Sequence, residues 1–387
     1  MRLTRLLLLL LAVLCLLAAC AFAEEEDELS IEDNAPPDTL ITRDPNMTPR
    51  PRRTAEPVVT PTPAPAFYET DGTILLTLTF GGDLCLGADP READAFERER
   101  ERQQGSYSFP LRNLRDIFRQ DDLTVISLKT SLTDAADIPE NRAGGRVYRA
   151  DPRYASALYE AGVEVVVTAN DHSLDFGEEG LAATQDALRR AGLTVSAEGQ
   201  LAVYTVKSLR VAVLSYNAVD RAESVLRVLP EDLAVVRSLS DIAVVYFHWG
   251  TERSYLPDDS QIALGRRAAE CGADLVLGSR STHINPIEDY HGAYIVYSMG
   301  SLSSIAPEKP GDMSAFLFQI RFRYYRGETT RMGFRLIPIR IATSTEQNDY
   351  CPTPLTKDTA VDSVITTLMA NGQQLEFAVK EYLTEWR

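Results

Sequence analysis

The sequence predicts an α/β fold with a largely buried sheet, and three observations support this. Short apolar runs of strand length recur along the chain, segments with apolar residues at three- and four-residue spacing lie between several of them, and polar, glycine-marked segments follow the strand ends. Strands that alternate with helices are typical of sheets whose faces are covered. Ligands of such sheets bind beyond the carboxyl ends of the strands, so the polar segments are the candidate site.

Length and composition fit one large domain with appendages, or two domains. The chain has 387 residues, of which 44% are hydrophobic and 25% are charged, as in globular proteins with a sizeable core. Its formal net charge of −17 disfavours a nucleic-acid partner, because phosphate binding needs a basic surface. The chain contains only four histidines, a small supply for a hydrolytic metal site.

Residues 1–23 predict a secretory signal. Arg2 and Arg5 precede an apolar run over residues 6–17, which is too short for a comfortable membrane span. Residues 17–20 resemble a bacterial lipobox, in which Cys20 would be lipidated, whereas residues 21–23 form an alternative Ala-x-Ala cleavage site. Either alternative predicts an extracytoplasmic protein associated with the cell envelope, held at the membrane by its signal or by a lipid anchor.

Residues 24–70 predict a disordered linker. The segment opens with five consecutive acidic residues, contains many prolines and has few large apolar side chains that could offset its ordering entropy by burial. Beyond the linker lie three cysteines, Cys85, Cys271 and Cys351. Their odd number and wide spacing do not predict a disulfide framework.

Residues 71–345 predict the folded domain, and residues 346–387 predict a C-terminal helical tail. Apolar runs predict strands over residues 74–80, 123–128, 163–168, 210–215, 242–247, 273–277 and 293–298. Helical spacing predicts helices over residues 178–191 and 259–271. Alternation over residues 315–325 and 331–341 predicts a hairpin that closes the sheet, and the helical spacing of the tail is broken near Asn371.

Six polar segments follow one another in a specific order. They read FGGD at 80–83, SLKT at 127–130, ANDHSLDFG at 169–177, HWGTE at 248–252, GSRSTHINP at 278–286 and YSMG at 297–300. This series resembles the CapA family, whose members take part in capsule and poly-γ-glutamate synthesis and are similar to calcineurin-like metallophosphoesterases. The resemblance covers about residues 73–342, and the third and fourth segments are its most specific parts.

The resemblance implies an α/β/β/α sandwich of the metallophosphoesterase type and a set of site residues. Such sites hold two divalent cations with Asp, Asn and His ligands presented from strand ends. The resemblance implies Asp83, Asp171, His248 and His283 as candidate metal ligands. Asp171 stands where the family more often has an Asn amide, and His283 lies one residue later than the family's histidine. His172 would be the adjacent acid or phosphate-orienting group, and Asp175 would either orient His172 or cap the helix predicted near residue 178.

Three ligands that the resemblance implies are replaced. Lys129 stands at a carboxylate position, and Arg280 and Thr282 stand at two histidine positions. Asp83 and Asp171 bring two negative charges and Lys129 and Arg280 two positive charges, so the set is neutral without a metal. A lysine there would repel a dication and would instead pair with Asp83 or with Asp171. We therefore hypothesise that internal cations replace the binuclear centre and that no cofactor is bound.

The resemblance implies a cell-envelope protein associated with capsule or poly-γ-glutamate biosynthesis or anchoring, with a degenerate phosphoesterase site. Two alternatives stay open: an active phosphoesterase with one divalent metal (Mn, Fe or Zn) in a reduced site, and a non-catalytic lipoprotein that binds a polymer or a partner. The expected partners are an anionic envelope polymer or the capsule synthesis machinery. Lys129, Arg280 and the neighbouring Arg253 could supply the local basic patch that an anionic polymer needs.

Overall fold

The structure of the protein, a computed structural model, describes residues 72–92, 94–305 and 310–386. The predicted signal, Cys20 and the predicted linker lie outside the described residues. Within the described ranges, no helix combines the length and the apolar character that a membrane span requires.

Fifteen strands and seven α-helices make up the described part of the chain. The strands are β1 Ile74–Leu84, β2 Leu123–Leu128, β3 Ser131–Leu132, β4 Arg149–Ala150, β5 Val165–Val167, β6 Thr194–Ser196, β7 Ala202–Val206, β8 Leu209–Asn217, β9 Ile242–His248, β10 Leu275–Ser279, β11 Ile287–Tyr290, β12 Ala293–Val296, β13 Ser314–Tyr325, β14 Glu328–Arg340 and β15 Thr353–Pro354. The helices are α1 Ala95–Arg102, α2 Arg115–Phe118, α3 Tyr154–Ala161, α4 Gly177–Arg190, α5 Ala222–Leu239, α6 Asp259–Glu270 and α7 Asp358–Gly372.

Most of the strands form two mixed sheets. The first sheet has the order β15-β14-β13-β1-β2-β5-β6, and the second has the order β11-β12-β10-β9-β8-β7. Both are parallel in the middle, where β1, β2, β5 and β6 run together in the first sheet and β8, β9, β10 and β12 in the second. The parallel strands therefore bring their carboxyl ends to one edge of each sheet.

Three hydrophobic cores show that the sheets and helices form four layers. Between the sheets, Phe80 of β1 packs in one core with Val244 of β9. Neighbouring residues point the other way because strand side chains alternate between faces, so Ile126 of β2 packs in a core with Leu188 of α4. A third core joins the second sheet to α5 and α6. The α/β fold that the sequence predicted and the α/β/β/α sandwich that the resemblance implied are confirmed.

Strand β1 runs four residues past its predicted end and so delivers Asp83 to the site. Pairing with β2 continues across a register shift between Gly81 and Asp83. A side chain at Gly82 is excluded, because a Cβ there would lie 1.8 Å from the carbonyl oxygen of Gly300. Beneath this point the Tyr246 hydroxyl of the second sheet donates to the Gly81 carbonyl at 2.9 Å, which ties the two sheets together.

Helix α5 was missing from the sequence prediction. Its buried residues, Val225, Leu229, Leu233 and Val236, have helical spacing, but Pro230 inside the helix interrupts the pattern and removes a backbone donor. The predicted C-terminal helix is present as α7, and the described residues beyond Gly372 form turns, bends and irregular backbone. The tail is well packed, because Leu368 joins the core between the sheets and Leu375 joins the core on the outer face of the second sheet.

Two carboxyl groups lie at the amino ends of the parallel strands, opposite to the polar segments. Asp121 precedes β2 and accepts from the Thr124 hydroxyl at 2.8 Å, and Glu164 precedes β5 and accepts from the Thr124 backbone N–H at 2.7 Å. Desolvation raises the pKa of Asp121 to about 7 and that of Glu164 to about 8. Neither carboxyl is in an ion pair with another described residue, so burial is not offset by a cation.

Candidate functional site

A cleft of about 540 Å³ opens at the carboxyl ends of β1 and β2. Its lining includes Asp83, Lys129, Tyr148, Glu252, Thr282 and His283. A larger cavity, of about 730 Å³, is lined partly by Arg280 and the first turn of α5. The predicted carboxylates and histidines are not among its lining residues, so the candidate chemistry lies in and beneath the smaller cleft.

Asp83 is buried at the end of β1, with 2% of its surface exposed. Its Oδ1 accepts a hydrogen bond from the Ser127 hydroxyl at 2.6 Å. Its Oδ2 accepts from the backbone N–H of Arg280 at 3.1 Å and lies 3.7 Å from Nδ1 of His248. Both carboxylate oxygens of Asp83 are therefore already engaged by protein donors.

Asp171 is the centre of the site, since nitrogen atoms of four other side chains surround it. His248 Nε2 lies 2.8 Å and Lys129 Nζ 3.5 Å from Oδ1, Arg280 Nε lies 3.4 Å from Oδ2, and His172 Nε2 lies 3.7 Å from Oδ1. Burial alone would raise the pKa of Asp171, but the hydrogen bond from His248 and the charge of Lys129 outweigh it and hold that pKa well below its usual range. The Asp171 side chain is an ionised internal anion.

Lys129 is the buried counterpart of Asp171, with only 4% of its surface exposed. Its ammonium also lies 3.4 Å from the Glu252 carboxylate. Burial opposes protonation, yet the nearby Asp83 and Asp171 carboxylates raise the pKa of Lys129 above its ordinary value. The sequence left open whether Lys129 pairs with Asp83 or with Asp171. In the structure Lys129 is in ion-pair contact with Asp171, and Asp83 affects the pKa of Lys129 only through its charge.

His248 is fixed between the two carboxylates. The Asp171 carboxylate can only accept, so His248 Nε2 carries the proton of that hydrogen bond. His248 Nδ1 lies 2.9 Å from the hydroxyl of Ser279, which ends β10. The ring therefore uses both nitrogens within the protein, and its exposure is 1%.

His172 and Asp175 form a separate hydrogen-bonded pair beside Asp171. His172 Nδ1 lies 2.8 Å from Asp175 Oδ2, and the imidazole stacks on the Tyr148 ring with 4.1 Å between centroids. Asp175 is fully buried, pairs with Arg142 and accepts from the Tyr148 backbone N–H at 2.7 Å. Asp175 thus orients His172. The alternative role as a helix cap is wrong, because α4 is capped at Phe176 without a side-chain hydrogen bond.

The loop after β10 determines where the substituted positions lie. Arg280 and Thr282 both have positive φ angles, 87° and 62°, which are costly for residues other than glycine. The turn that they make places the Arg280 side chain at Asp171 and leaves Thr282 in the wall of the cleft. His283 lies at the rim, stacked on Tyr255 with 4.2 Å between ring centroids. Its Nδ1 has no hydrogen-bond partner among the described residues.

Cys85 also lines the cleft, but burial raises the pKa of its thiol to about 12. The thiol is therefore protonated at neutral pH and is a poor nucleophile. Cys85, Cys271 and Cys351 are all free, in line with the expectation of no disulfide framework among them.

The residues present do not fit a binuclear metal centre. In the part of the chain that the structure describes, no group of three or more His, Cys, Asp and Glu side chains has an arrangement that could hold a metal ion. Asp83 and Asp171 accept hydrogen bonds from protein donors, and the Lys129 ammonium lies at the second of these carboxylates. His283 Nδ1 has no hydrogen-bond partner among the described residues, but the His283 ring stacks on Tyr255 in the lining of the cleft.

Several residues of the site were missed from the sequence. Ser127 and Ser279 lie at the carboxyl ends of β2 and β10 and belong to the polar segments that the sequence singled out, so their position carried a signal. Arg142 and Tyr148 lie in the loop between β3 and β4, where no segment of the sequence stands out. Their contact with Asp175 depends on the tertiary path of that loop and had no local signal.

Comparison with known proteins gives a family match over residues 77–304, to the model described as bacterial capsule synthesis protein PGA_cap. A probable polyglutamine synthesis accessory protein of Mycobacterium tuberculosis is 27% identical over 255 residues, which cover 57% of this chain and 66% of that protein. The PGA biosynthesis protein CapA of Bacillus subtilis is 24% identical over 261 residues, which cover 62% of this chain and 65% of that protein. The match thus spans just under two thirds of the length of these relatives.

Two solved structures are similar at low sequence identity. One, described as a novel phosphatase of Mycoplasma pneumoniae, has a TM-score of 0.44 at 13% identity and covers 69% of this chain and 94% of its own. The other, a calcineurin-like phosphoesterase of Bacillus subtilis, has a TM-score of 0.40 at 9% identity and covers 77% of this chain and 98% of its own.

Proposed function

The chain belongs to the PGA_cap family of bacterial capsule synthesis proteins, and we propose on this premise that it takes part in the synthesis or anchoring of a poly-γ-glutamate-type capsule polymer. The names of its relatives support this role. We further propose that it acts at the cell envelope, outside the cytoplasmic membrane, with Cys20 as a lipid anchor. Mass spectrometry of the mature N-terminus tests the anchor, since cleavage after Ala23 would leave no Cys20 to carry lipid.

We also propose that the cleft acts without a bound metal and does not hydrolyse phosphoesters. The observation that carries this proposal is the Lys129 ammonium, 3.5 Å from Asp171 and 3.4 Å from Glu252. A dication 4 Å from an ammonium would be repelled by about 8 kcal/mol at an effective dielectric constant of about 20. Lys129 and Arg280 offset the charges of Asp83 and Asp171 without a metal, and Glu252 adds one further carboxylate beside Lys129.

Elemental analysis combined with a hydrolysis assay tests the metal-free proposal. Purified full chain is expected to hold no stoichiometric Mn, Fe or Zn and to leave p-nitrophenyl phosphate and its bis-ester intact with added Mn. Two metal equivalents, or metal-dependent turnover that Asp83→Ala abolishes, would reject the proposal. The Asp83→Ala control matters because a contaminating phosphatase would be unaffected by it.

Restoring the missing ligands tests the same proposal from the opposite side. We expect the triple variant Lys129→Glu, Arg280→His, Thr282→His to bind Mn by titration calorimetry where the parent does not. The matched control is the double variant Arg280→His, Thr282→His, which adds both imidazoles but keeps the ammonium. If the double variant binds Mn as well as the triple, Lys129 is not what excludes the metal.

A single-metal phosphoesterase is the second candidate, and one observation favours it. The His172–Asp175 pair keeps a 2.8 Å hydrogen bond, as a catalytic acid held in one orientation would need. The hydrolysis assay decides between the two candidates, because this one requires turnover that depends on added metal and on His172.

The role in polymer production is tested in the producing organism. Deletion of the gene should lower the amount of surface polymer, and expression of the full chain should restore it. Normal polymer production after deletion would contradict this role whatever the chemistry of the cleft.

A further inference from the structure

The β13–β14 hairpin is strongly basic in a strongly acidic protein. The hairpin contains six arginines, five in its two strands and Arg326 in the turn, and a single acidic residue, Glu328, whereas the whole chain has a formal net charge of −17. Three of these arginines, Arg321, Arg323 and Arg335, are considered below together with Trp386 and are called the arginine face.

Strand register places the three arginines on one side of the first sheet. Arg321 lies opposite Thr77 and Arg323 opposite Leu75, while Arg335 lies opposite Gln319 on the neighbouring strand. Side chains of paired residues point to the same face, and successive residues alternate. The residues that alternate with Gln319, Arg321 and Arg323 along β13 enter the core between the sheets; they are Phe318, Ile320 and Phe322. The arginines therefore point to the opposite, outer face.

Contacts within the arginine face hold two guanidinium groups without neutralising them. The Arg321 guanidinium lies over the Trp386 ring at 4.0 Å from its centroid, and that of Arg335 lies at 5.2 Å. Arg335 Nε also donates to the Gln319 side-chain oxygen at 2.8 Å. Burial and the nearby charge of Arg321 lower the pKa of Arg335, whereas the negative charge of Glu385 raises it.

Among the described residues, no carboxylate is in an ion pair with Arg321, Arg323 or Arg335. Other arginines of the chain, such as Arg266 at 2.7 Å from Glu288 and Arg237 at 2.7 Å from Asp274, are paired in this way. The arginine face thus combines positive charge with bidentate donor groups that the protein leaves available.

We propose that the arginine face binds an extended polycarboxylate chain, which rests on the proposed role in poly-γ-glutamate synthesis. Arg321 and Arg323 are two residues apart on one strand, a spacing of about 7 Å. Arg335 lies beside Gln319, so the three arginines cover the register positions from Gln319 to Arg323, which span about 14 Å. Successive carboxylates of one polymer can therefore contact all three cations. Such multivalent contact favours a long polymer over a single glutamate.

The arginine face is separate from the cleft. Arg321 pairs with Thr77, six residues before Asp83 on β1, a distance of about 20 Å along a strand. A polymer bound there leaves the cleft accessible, so the face would retain a chain while another part of it, or another protein, occupies the cleft.

The chemistry of the arginine face favours a polymer over a lipid surface. Membrane-binding surfaces combine cations with several apolar side chains that enter the bilayer. Of the large apolar side chains that are exposed in the described residues, only Met332 belongs to the hairpin. One methionine does not provide the inserted area that an interfacial surface requires.

Fluorescence anisotropy with labelled poly-γ-glutamate and the purified full chain tests the proposal. We expect Arg321→Gln, Arg323→Gln, Arg335→Gln to weaken binding at least tenfold, and competition by free glutamate to be negligible. The matched control is Arg98→Gln, Arg190→Gln, Arg227→Gln, which changes net charge equally at exposed positions elsewhere and should stay within twofold of the parent. Circular dichroism establishes that both variants are folded.

Arg323→Glu keeps the test decisive if the triple variant does not fold. Arg323 is exposed, and its reversal should weaken binding at least fivefold, against less than twofold for Arg227→Glu. Parent-like affinity of Arg323→Glu and of the triple variant, or an equal loss in the control triple, would overturn the proposal. It would also be overturned if vesicles of phosphatidylglycerol and phosphatidylcholine bound the parent through these arginines while the polymer did not.

Failure of this inference is distinguishable from failure of the proposed function. Loss of surface polymer on gene deletion, together with unchanged polymer affinity of the arginine variants, rejects the arginine face alone. Normal surface polymer on deletion, together with affinity that depends on the arginines, rejects the biosynthetic role but leaves the binding surface.

Discussion

Half-buried carboxyl groups at the two ends of the first sheet differ in charge state. At the carboxyl ends of the parallel strands, Asp171 lies among Lys129, Arg280 and two histidines, and its pKa is held well below the ordinary value. At the amino ends, Asp121 and Glu164 have hydroxyl and backbone donors but no ion-pair partner in the part of the chain that the structure describes, and their pKa values rise to about 7 and about 8.

The difference shows that burial does not by itself decide the charge of a carboxyl group. Desolvation raises the pKa at both ends of the sheet, and only the cleft end supplies cations that outweigh it. The cleft is therefore an ionised network whose stability depends on each partner. The amino end is a pair of carboxyl groups whose raised pKa values, about 7 and about 8, keep them partly protonated in the neutral range.

Removal of the ammonium should make the cleft end resemble the amino end, and we expect this change to have the largest effect. Lys129→Met keeps most of the side-chain volume but leaves Asp171 with less compensation. Loss of one partner of a buried pair costs about 3 kcal/mol, so the free energy of unfolding at pH 7 should fall by about that amount. Urea denaturation measures it, and Arg323→Met, at an exposed cation, should change stability by less than about 0.5 kcal/mol.

The cost of Lys129→Met should also shrink on acidification, as Asp171 becomes protonated and no longer needs a cation. A variant as stable as the parent at pH 7 would contradict the view that this ion pair supports the cleft. An equal loss at neutral and at strongly acidic pH would indicate a packing effect of the methionine.

The amino end predicts a decline in stability between pH 5 and pH 8.5. Asp121 and Glu164 have folded-state pKa values above their unfolded values, so their contribution is complete below the unfolded pKa and is lost as the pH rises through about 7 and about 8. We expect a loss of at least about 1.4 kcal/mol for each carboxyl group over this range. Asp171, with its lowered pKa, contributes constantly in this window and loses its contribution only in acid.

Glu164→Gln should flatten this pH dependence, because the amide still accepts from Thr124 but does not ionise. Glu179→Gln, at an exposed position of α4, is the matched control and should leave the profile unchanged. Urea denaturation at intervals from pH 5 to pH 8.5 measures both. Identical profiles of Glu164→Gln and the parent would show that the amino-end carboxyl is ionised in the folded protein.

Backbone strain provides a smaller comparison of the two ends. Thr282 in the cleft wall has φ of 62°, and Ser208, in the turn between β7 and β8, has φ of 68°. Thr282→Gly should stabilise the protein by about 0.5–1 kcal/mol, since a β-branched residue is costly in the left-handed region. Ser208→Gly should stabilise it less. Thermal unfolding measures both, and a destabilised Thr282→Gly would mean that the threonine side chain itself supports the loop.

The sequence was most informative where a strand ends in a polar segment. Asp83 and His248 each follow a buried apolar run, so their position at one edge of the sandwich could be predicted from strand order alone. The neutral charge set of two acids and two cations could also be read from the sequence. The sequence could not show that Lys129 contacts Asp171 rather than Asp83, because this depends on distances of a few ångströms between loops.

The remaining features depend on tertiary contacts without a local signature. The sequence suggested His283 as a possible metal ligand. Positive φ angles at Arg280 and Thr282 set the path of the loop, and the His283 ring stacks on Tyr255. Asp121 and Glu164 precede their strands as ordinary polar residues, and their desolvation follows only from the packing around them. The outward alignment of three arginines requires the register of β13 with β1 and β14.

The chain has two tryptophans, and the two lie in different surroundings. Trp249 is buried next to His248, with its indole N–H donating to the Tyr297 carbonyl at 3.0 Å, whereas Trp386 lies in contact with Arg321 and Arg335 and is partly exposed. Substitution therefore separates the emission of the two rings. In Trp249→Phe, emission comes from Trp386 alone and reports on the arginine face; in Trp386→Phe, it comes from Trp249 alone and reports on the core between the second sheet and its helices.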